Sequence, residues 1–282
     1  MKISLFAGFN DLVSQIGLDK ALEFIHASGF VGVELFFTSD NIPTISVAEE
    51  YLVAARAHGL DIACVSCYTP SLIDKNNPSS VDTSAVSALK ECAIITRAAG
   101  AKYLHHTVYS DLSKPLSLSY DDIYDASLEA AVEIAEFAKS IGVTILYEPQ
   151  GFYFNGMRGF LRFFNAVSER TDNVAVCLDV GNPLWVDESP LEIIDAVKDR
   201  VVHVHIKDYE VSEDSAYKTL GGRGIREMPV GDGSVPIAEA VRILVDNGYD
   251  GFFSTEDSTP TEVTEKFSRV VNIINKALLK TE

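Results

Sequence analysis

Cysteine is scarce in this chain, and its pattern argues against a structural metal site. Four cysteines occur among 282 residues, and two of them, Cys64 and Cys67, form the sequence's Cys-x-x-Cys pair. No second such pair completes a zinc site. The pair lies in a strand-like apolar run, where a thiol is usually a small buried hydrophobic group. We therefore expect the cysteines to be structural.

A long apolar run is also missing. No stretch of about 18 apolar residues occurs, which is the length a membrane-spanning helix needs. The opening MKISLFAGFN has too short an apolar run for a secretory signal. From these absences we expect a soluble, cytoplasmic protein.

Basic residues are few relative to acidic ones. The chain has 23 lysines and arginines against 41 aspartates and glutamates, which gives a formal charge of −18. Such a surface disfavours partners that bind through phosphates or anionic lipids, so we expect neither a nucleic-acid nor a membrane partner. With 47% hydrophobic residues the chain can bury a large core. We predict one domain over residues 1–282.

A repeated unit indicates the fold class. An amphipathic helix, a glycine turn and a β-rich run recur, as in HASGFVGVELFF and KSIGVTILYEP. Glycine suits the left-handed conformation that ends a helix before a strand. Strict strand and helix alternation indicates a parallel sheet, and eight units favour a (β/α)₈ TIM barrel, with an open doubly wound sheet as the alternative. Strands are predicted near 3–7, 31–37, 61–67, 102–108, 143–148, 174–179, 201–206 and 251–256, with glycine turns at Gly29, Gly59, Gly100, Gly142 and Gly248.

The longest irregular stretch covers residues 207–235, between the seventh predicted strand and its helix. Loops of this length are usually functional or disordered. It follows the carboxyl end of a barrel strand, where this fold builds its active site. We therefore predict a loop that covers the substrate.

Four predicted strands finish on a residue that can bind a metal: Glu148, Asp179, His205 and Glu256. In a closed barrel these strand ends ring one mouth. Two carboxylates about 4 Å apart repel by roughly 4 kcal/mol at an effective dielectric near 20, so protons or a cation must compensate them. Oxygen ligands with one imidazole suit a single divalent ion, with Mn²⁺ favoured and Mg²⁺, Co²⁺ or Zn²⁺ as alternatives. By alternation, His203 faces the interior one layer below His205.

Further side chains are weaker candidates for substrate binding. Glu34 and His106 lie in predicted strands where they could bind substrate hydroxyls, although a structural role is equally open for each. His105 and His106 face opposite ways, and the sequence leaves open which of them points inward. Arg223, in GGRGIRE, could bind a phosphate or carboxylate, but a loop arginine is more often solvated.

At these residues the chain resembles the sugar isomerase and epimerase superfamily with xylose-isomerase-like barrels, which includes inosose dehydratases, inosose isomerases, ketose 3-epimerases and endonuclease IV. The resemblance runs from GFVGVELF through YEPQ, CLDVGN, HVHIKD and VGDG to GFFSTED. It implies that Glu148, Asp179, His205 and Glu256 coordinate a divalent ion, and that the two glutamates donate and accept protons. One position departs from the pattern: Asn182 stands where many members have a histidine that helps to bind substrate.

The resemblance implies a metal-dependent isomerase or epimerase that acts on a keto-sugar, sugar phosphate or inosose through an enediolate. Glu148 and Glu256 form the expected catalytic pair, and Asn182 can still bind a hydroxyl. If Lys207 instead protonates a departing hydroxyl, the same enediolate leads to dehydration, so a lyase is the alternative. A phosphodiesterase or a barrel that only binds its ligand is a third reading. The expected partner is a small sugar or polyol, and self-association as a homo-oligomer stays open.

Overall fold

Eight parallel strands form a closed barrel in the computed structural model, which describes residues 1–110, 112 and 118–279. Around the barrel the order is β1, β12, β9, β8, β7, β6, β3, β2, and two further pairs form antiparallel hairpins. The predicted (β/α)₈ barrel is confirmed, and the open sheet is wrong. The strands in chain order are β1 (Lys2–Leu5), β2 (Gly32–Thr38), β3 (Asp61–Tyr68), β4 (Ile73–Asp74), β5 (Asn77–Val81), β6 (Tyr103–His106), β7 (Thr144–Tyr147), β8 (Val174–Asp179), β9 (Val201–Ile206), β10 (Asp208–Val211), β11 (Ile225–Met228) and β12 (Phe252–Thr255).

Nine α-helices lie between or after the barrel strands in the described residues. None of them is both long and apolar enough to cross a lipid bilayer. The five glycines predicted in turns all have positive φ, between 72° and 104°. The helices are α1 (Phe9–Ile16), α2 (Leu18–Ala27), α3 (Ile45–Ala57), α4 (Thr83–Ala98), α5 (Tyr120–Ser140), α6 (Leu161–Arg170), α7 (Pro190–Val197), α8 (Ile237–Asp246) and α9 (Val263–Leu278).

Contacts within the chain group it into two units. The first comprises Met1–Glu34, Ala54–Ala63 and Cys177–Glu282. In it β12 pairs with both β1 and β9, so that Ser254 lies level with Ser4 on one side and His205 on the other. The interior-facing residues of these strands are therefore polar at this level.

The second unit comprises Leu35–Val53 and Cys64–Val176. In it β6 pairs with β3 and with β7, which places His105 level with Ser66 and Leu146. The thiols of Cys64 and Cys67 are free and buried, as predicted, and so are the other two cysteines.

The predicted irregular stretch 207–235 is partly ordered into a hairpin, which corrects the sequence analysis. β10 pairs antiparallel with β11, with Asp208 opposite Met228 and Val211 opposite Ile225. The strands are short and separated by 13 residues that include two adjacent glycines. That spacing lacks the two-residue turn by which a hairpin is usually recognised in sequence.

The Asp208 carboxylate holds the end of this stretch. It accepts hydrogen bonds from the backbone N–H groups of Tyr209, Gly231 and Gly233, each at 2.9 Å, and of Val235 at 3.1 Å. A Cβ atom at Gly233 would lie 2.2 Å from Asp208 Oδ1, so only glycine allows this approach. The VGDG segment therefore wraps a buried carboxylate.

We expect Asp208→Asn to lower the free energy of unfolding by about 2 to 4 kcal/mol, because the amide offers one acceptor oxygen to four backbone N–H donors. Urea denaturation measures this change. Asp232→Asn in the same loop is the control, since Asp232 is about half exposed and pairs with Arg269 at the surface; it should change stability by less than about 1 kcal/mol. Equal stability of the two variants would contradict the anchoring role.

Candidate functional site

His205 lies at the centre of the candidate site in the first unit. Its side chain is 1% exposed, and its ring stacks on Phe6 with a centroid separation of 5.0 Å. Its Nδ1 atom lies 3.1 Å from Glu256 Oε2, and its Nε2 atom lies 3.1 Å from Glu34 Oε1. The imidazole therefore joins a carboxylate at the end of β12 to a carboxylate inside β2.

Asp179 ends β8 and is completely buried. Its Oδ1 atom accepts hydrogen bonds from the backbone N–H groups of Gly181 and Asn182, both at 2.7 Å. This turn follows from the sequence DVGN, because an aspartate readily accepts from backbone groups two and three residues further on. The carboxylate is thereby fixed in orientation at the strand end.

Asp179, His205 and Glu256 can each offer one ligand atom, and these atoms lie within 4.8 Å of one another. Two carboxylates with one imidazole are a donor set that suits Mn²⁺, Mg²⁺ or Zn²⁺. The buried carboxylates also need positive charge nearby, which a divalent ion supplies. The chemistry of these residues therefore fits a divalent metal site.

Lys207 supplies part of that positive charge. Its Nζ atom donates to Glu256 Oε1 at 2.5 Å, and the lysine side chain is only 12% exposed. Burial by itself would raise the pKa of Glu256, but the charges of Lys207 and His205 hold it below its usual range. Burial opposes the charged form of Lys207, yet the Glu256 carboxylate raises its pKa well above the usual value. The pair is therefore ionised at neutral pH.

Glu34 is placed differently from the sequence prediction, which offered it as a residue that could bind substrate hydroxyls. It is the third residue of β2, which continues to Thr38, and its side chain is 0% exposed. Its carboxylate contacts His203 and His205 and accepts from Ser254 Oγ at 2.7 Å. Burial would raise its pKa, but the two histidines lower it well below the usual value. Glu34 thus lies within the barrel wall, and His203 is the hydrogen-bonded interior residue that was predicted.

Glu148 follows β7 in the second unit, and its side chain is 2% exposed. Its Oε2 atom lies 3.4 Å from His105 Nε2. The other nitrogen of that ring, Nδ1, hydrogen bonds to Ser66 Oγ at 2.9 Å. The side chains of His105 and Glu148 therefore lie on the same face of the sheet.

His106 faces the other way, which corrects its predicted place among the substrate ligands. Its Nδ1 atom contacts its neighbour's carbonyl, Thr107 O, at 2.9 Å, and its ring meets Tyr147 edge-on at 5.1 Å. Tyr147 in turn donates to Ala131 O of α5, in the helical layer. Burial lowers the pKa of His106 to about 4, so this imidazole is neutral. Successive strand residues alternate, and the structure favours His105 as the inward-facing one.

Asn182 lies beside Asp179 and is 5% exposed. Its Oδ1 atom accepts from the hydroxyl of Tyr209 at 3.5 Å. The indole of Trp185 meets Tyr209 edge-on at 5.8 Å. An amide, a phenol and an indole thus lie together next to the acidic strand end.

Arg223 forms a surface ion pair. Its Nε atom donates to Asp187 Oδ1 at 2.7 Å, and its side chain is 53% exposed. Asp187 has a left-handed φ of 60° and also accepts from the backbone of Gly221. These contacts account for Arg223 as a loop anchor, whereas the sequence analysis offered anion binding or a solvated side chain.

Sequence reasoning missed three contacts of the site. Phe6 stacks on His205, Cys177 Sγ lies 3.5 Å from His205 Nε2, and Ser254 donates to Glu34. Cys177 and Ser254 each stand two residues before an acidic strand end, so alternation correctly places them inside the barrel. Alternation does not reveal which neighbour each of them meets.

Comparison with known proteins gives matches across most of the chain. Residues 22–274 match the family described as "Xylose isomerase-like TIM barrel". A fructoselysine 3-epimerase of Escherichia coli O157:H7 is 25% identical over 138 residues, which cover 48% of this chain and 46% of that protein. An inosose dehydratase of Clostridium botulinum (strain Eklund 17B / Type B) is 32% identical over 90 residues, which cover 29% of this chain and 30% of that protein. The chain thus spans less than half the length of these curated relatives.

A crystal structure supports the same assignment at the level of the fold. The IOLI protein with a bound zinc atom superposes with a TM-score of 0.74 at 18% identity, over 99% of this chain and 100% of that one. At this identity the similarity shows the fold alone. The family match, by contrast, covers most of the chain. The chain belongs to the xylose isomerase-like TIM barrel family.

Proposed function

We propose that this protein is a divalent-metal-dependent isomerase or epimerase that acts on a keto-sugar, sugar phosphate or inosose. The observation that carries the proposal is the set formed by the buried Asp179 and His205 and the partly exposed Glu256 at the carboxyl ends of three strands, with Lys207 paired to Glu256. The carboxyl ends of barrel strands are where enzymes of this fold act. The partner is accordingly a small sugar or polyol, and neither nucleic acid nor membrane.

We propose Glu148 as the fourth ligand. Glu148 follows the carboxyl end of β7. Asp179 ends β8, which is next to β7 in the barrel. Three carboxylates and one imidazole favour Mn²⁺, with Mg²⁺, Co²⁺ or Zn²⁺ as alternatives.

When bound, the ion would supply Lewis-acid stabilisation of negative charge on substrate oxygens. The proton transfers belong to the protein. Glu148 and Glu256 follow different strands. One of them, as a carboxylate, can take the proton next to the substrate carbonyl, and the other, in its protonated form, can return a proton to the opposite face. Asn182 can donate to and accept from a substrate hydroxyl.

A lyase is the second candidate, and the position of Lys207 favours it. The ammonium group is nearly buried and contacts the proposed proton-transfer residue Glu256. It is thus placed to give a proton to a hydroxyl that leaves the carbon next to the enediolate. Isomerisation leaves the mass of the substrate unchanged, whereas dehydration removes one water.

We expect the metal-loaded protein to incorporate solvent deuterium into one or more of a panel of ketoses and inososes, and the chelator-treated protein to do so far more slowly. Mass spectrometry of the products in D₂O measures both the incorporation and any loss of water. A product that differs from the substrate only by the incorporated deuterium supports the isomerase. A product that has also lost one water supports the lyase. Equal exchange with and without metal would contradict metal dependence.

A further inference from the structure

Glu34 is surrounded by three hydrogen-bonding side chains inside the barrel wall. His203 Nε2 and Ser254 Oγ both lie 2.7 Å from its Oε2 atom, and His205 Nε2 lies 3.1 Å from its Oε1 atom. All four side chains are at most 1% exposed. A carboxylate in such a place is held in one orientation by its contacts.

The two nitrogens of His205 each face a carboxylate. Nε2 faces Glu34 below, and Nδ1 faces Glu256 at the strand end. An ionised carboxylate only accepts hydrogen bonds, so Nε2 must carry the hydrogen to bind Glu34. Nδ1 faces the Glu256 carboxylate in the same way, on the side of the proposed metal ligands. A cation bound among those ligands would take the place of the Nδ1 hydrogen, while Nε2 keeps its own hydrogen for Glu34.

On the basis of the proposed function, we infer that Glu34 is a positioning residue that holds His205 as the Nε2–H tautomer and so presents Nδ1 to the divalent ion. Metal-bound histidines usually donate their second N–H to a carboxylate or carbonyl, which fixes the ring and raises the basicity of the ligand nitrogen. Ser254 and His203 support the arrangement by holding Glu34 itself. Glu34 therefore acts through His205 and contacts neither substrate nor ion.

A second possible set of metal ligands lies deeper in the barrel and is the alternative to this inference. Cys177, His203 and His205 also offer ligand atoms within 4.8 Å of one another. A soft ion held there would bind His205 through Nε2, where Cys177 Sγ lies 3.5 Å away. The two readings differ in the nitrogen that meets the metal.

Nitrogen NMR of the wild-type protein separates them. In the chelator-treated protein labelled with ¹⁵N, we expect the nitrogen shifts of His205 to show that Nε2 carries a hydrogen. After loading with Zn²⁺, which is diamagnetic, Nδ1 should become the metal-bound nitrogen. Ligation through Nε2 would overturn the inference, and this measurement does not depend on any variant folding.

Glu34→Gln tests the positioning role directly. The amide keeps the size of the side chain but can donate to Nε2, so the tautomer is no longer fixed. We expect the dissociation constant for Mn²⁺ to rise by about 10- to 100-fold, and the His205 signals to show a mixture of tautomers. Thermal unfolding in the presence of a chelator reports whether the variant is folded.

Glu210→Gln is the matched control, since Glu210 is a surface glutamate paired with Arg226 in the same unit. The dissociation constant of the Glu210→Gln protein for Mn²⁺ should equal that of the wild-type protein. A folded Glu34→Gln protein with wild-type Mn²⁺ affinity and a single Nε2–H tautomer would overturn the inference. Failure of the wild-type protein itself to bind Mn²⁺ or Zn²⁺ would instead contradict the proposed function.

Discussion

His205→Ala and Asp179→Ala proteins are expected to lose most of the divalent ion that the wild-type protein carries at close to one per chain. Each substitution removes a ligand and leaves the remaining buried carboxylates without their cation. Loss of a hydrogen-bonding partner outside the ligand set weakens metal binding by about 10- to 100-fold, and loss of a ligand should exceed that. Elemental analysis after gel filtration measures the metal content.

His58→Ala and Asp19→Ala are matched controls for these variants. The two residues pair with each other at 2.7 Å in the same unit, at its surface. They should retain the wild-type metal content. Equal retention in the His205→Ala protein would show that the ion, if present, binds elsewhere.

Glu148→Gln and Glu256→Gln are each expected to reduce solvent deuterium exchange into the substrate by about 10²- to 10⁴-fold, the usual effect of removing a general acid or base. The amide can still offer an oxygen to a cation but cannot take up or release the proton. Mass spectrometry in D₂O gives the exchange rate, and metal content measured on the same samples allows the rate to be expressed per bound ion.

Glu210→Gln again serves as the control, because this glutamate is exposed and paired with an arginine. It should exchange at the wild-type rate. Normal exchange in either the Glu148→Gln or the Glu256→Gln protein would remove that residue from the proton-transfer pair. If the exchange rate falls only in proportion to the metal content, the residue binds the metal but takes no part in proton transfer.

The fold could be predicted because its signals are local. Each of the eight barrel strands was expected within three residues of its observed ends, since β-rich runs alternate with helices that end at glycine. The hairpin of β10 and β11 could not be predicted, because its strands are held by the wrapping of residues 229–235 around Asp208. That contact joins residues more than 20 positions apart and produces no periodic pattern in the sequence.

The site was predictable where it depends on alternation and strand ends. Asp179, His205 and Glu256 meet as expected because parallel strands bring their carboxyl ends to one edge. The place of Glu34 could not be predicted, because its contacts with His203, His205 and Ser254 join residues more than 160 positions apart. The choice between His105 and His106 depends on the register of β6 with its neighbours, which the sequence of one strand does not contain.

Anomalous X-ray diffraction from crystals of the Mn²⁺-loaded protein tests the central claim most directly. The account predicts one strong manganese peak per chain, bound by Glu148, Asp179, Glu256 and the Nδ1 atom of His205. A peak next to Cys177 and His203, or no peak among these strand ends, would contradict it.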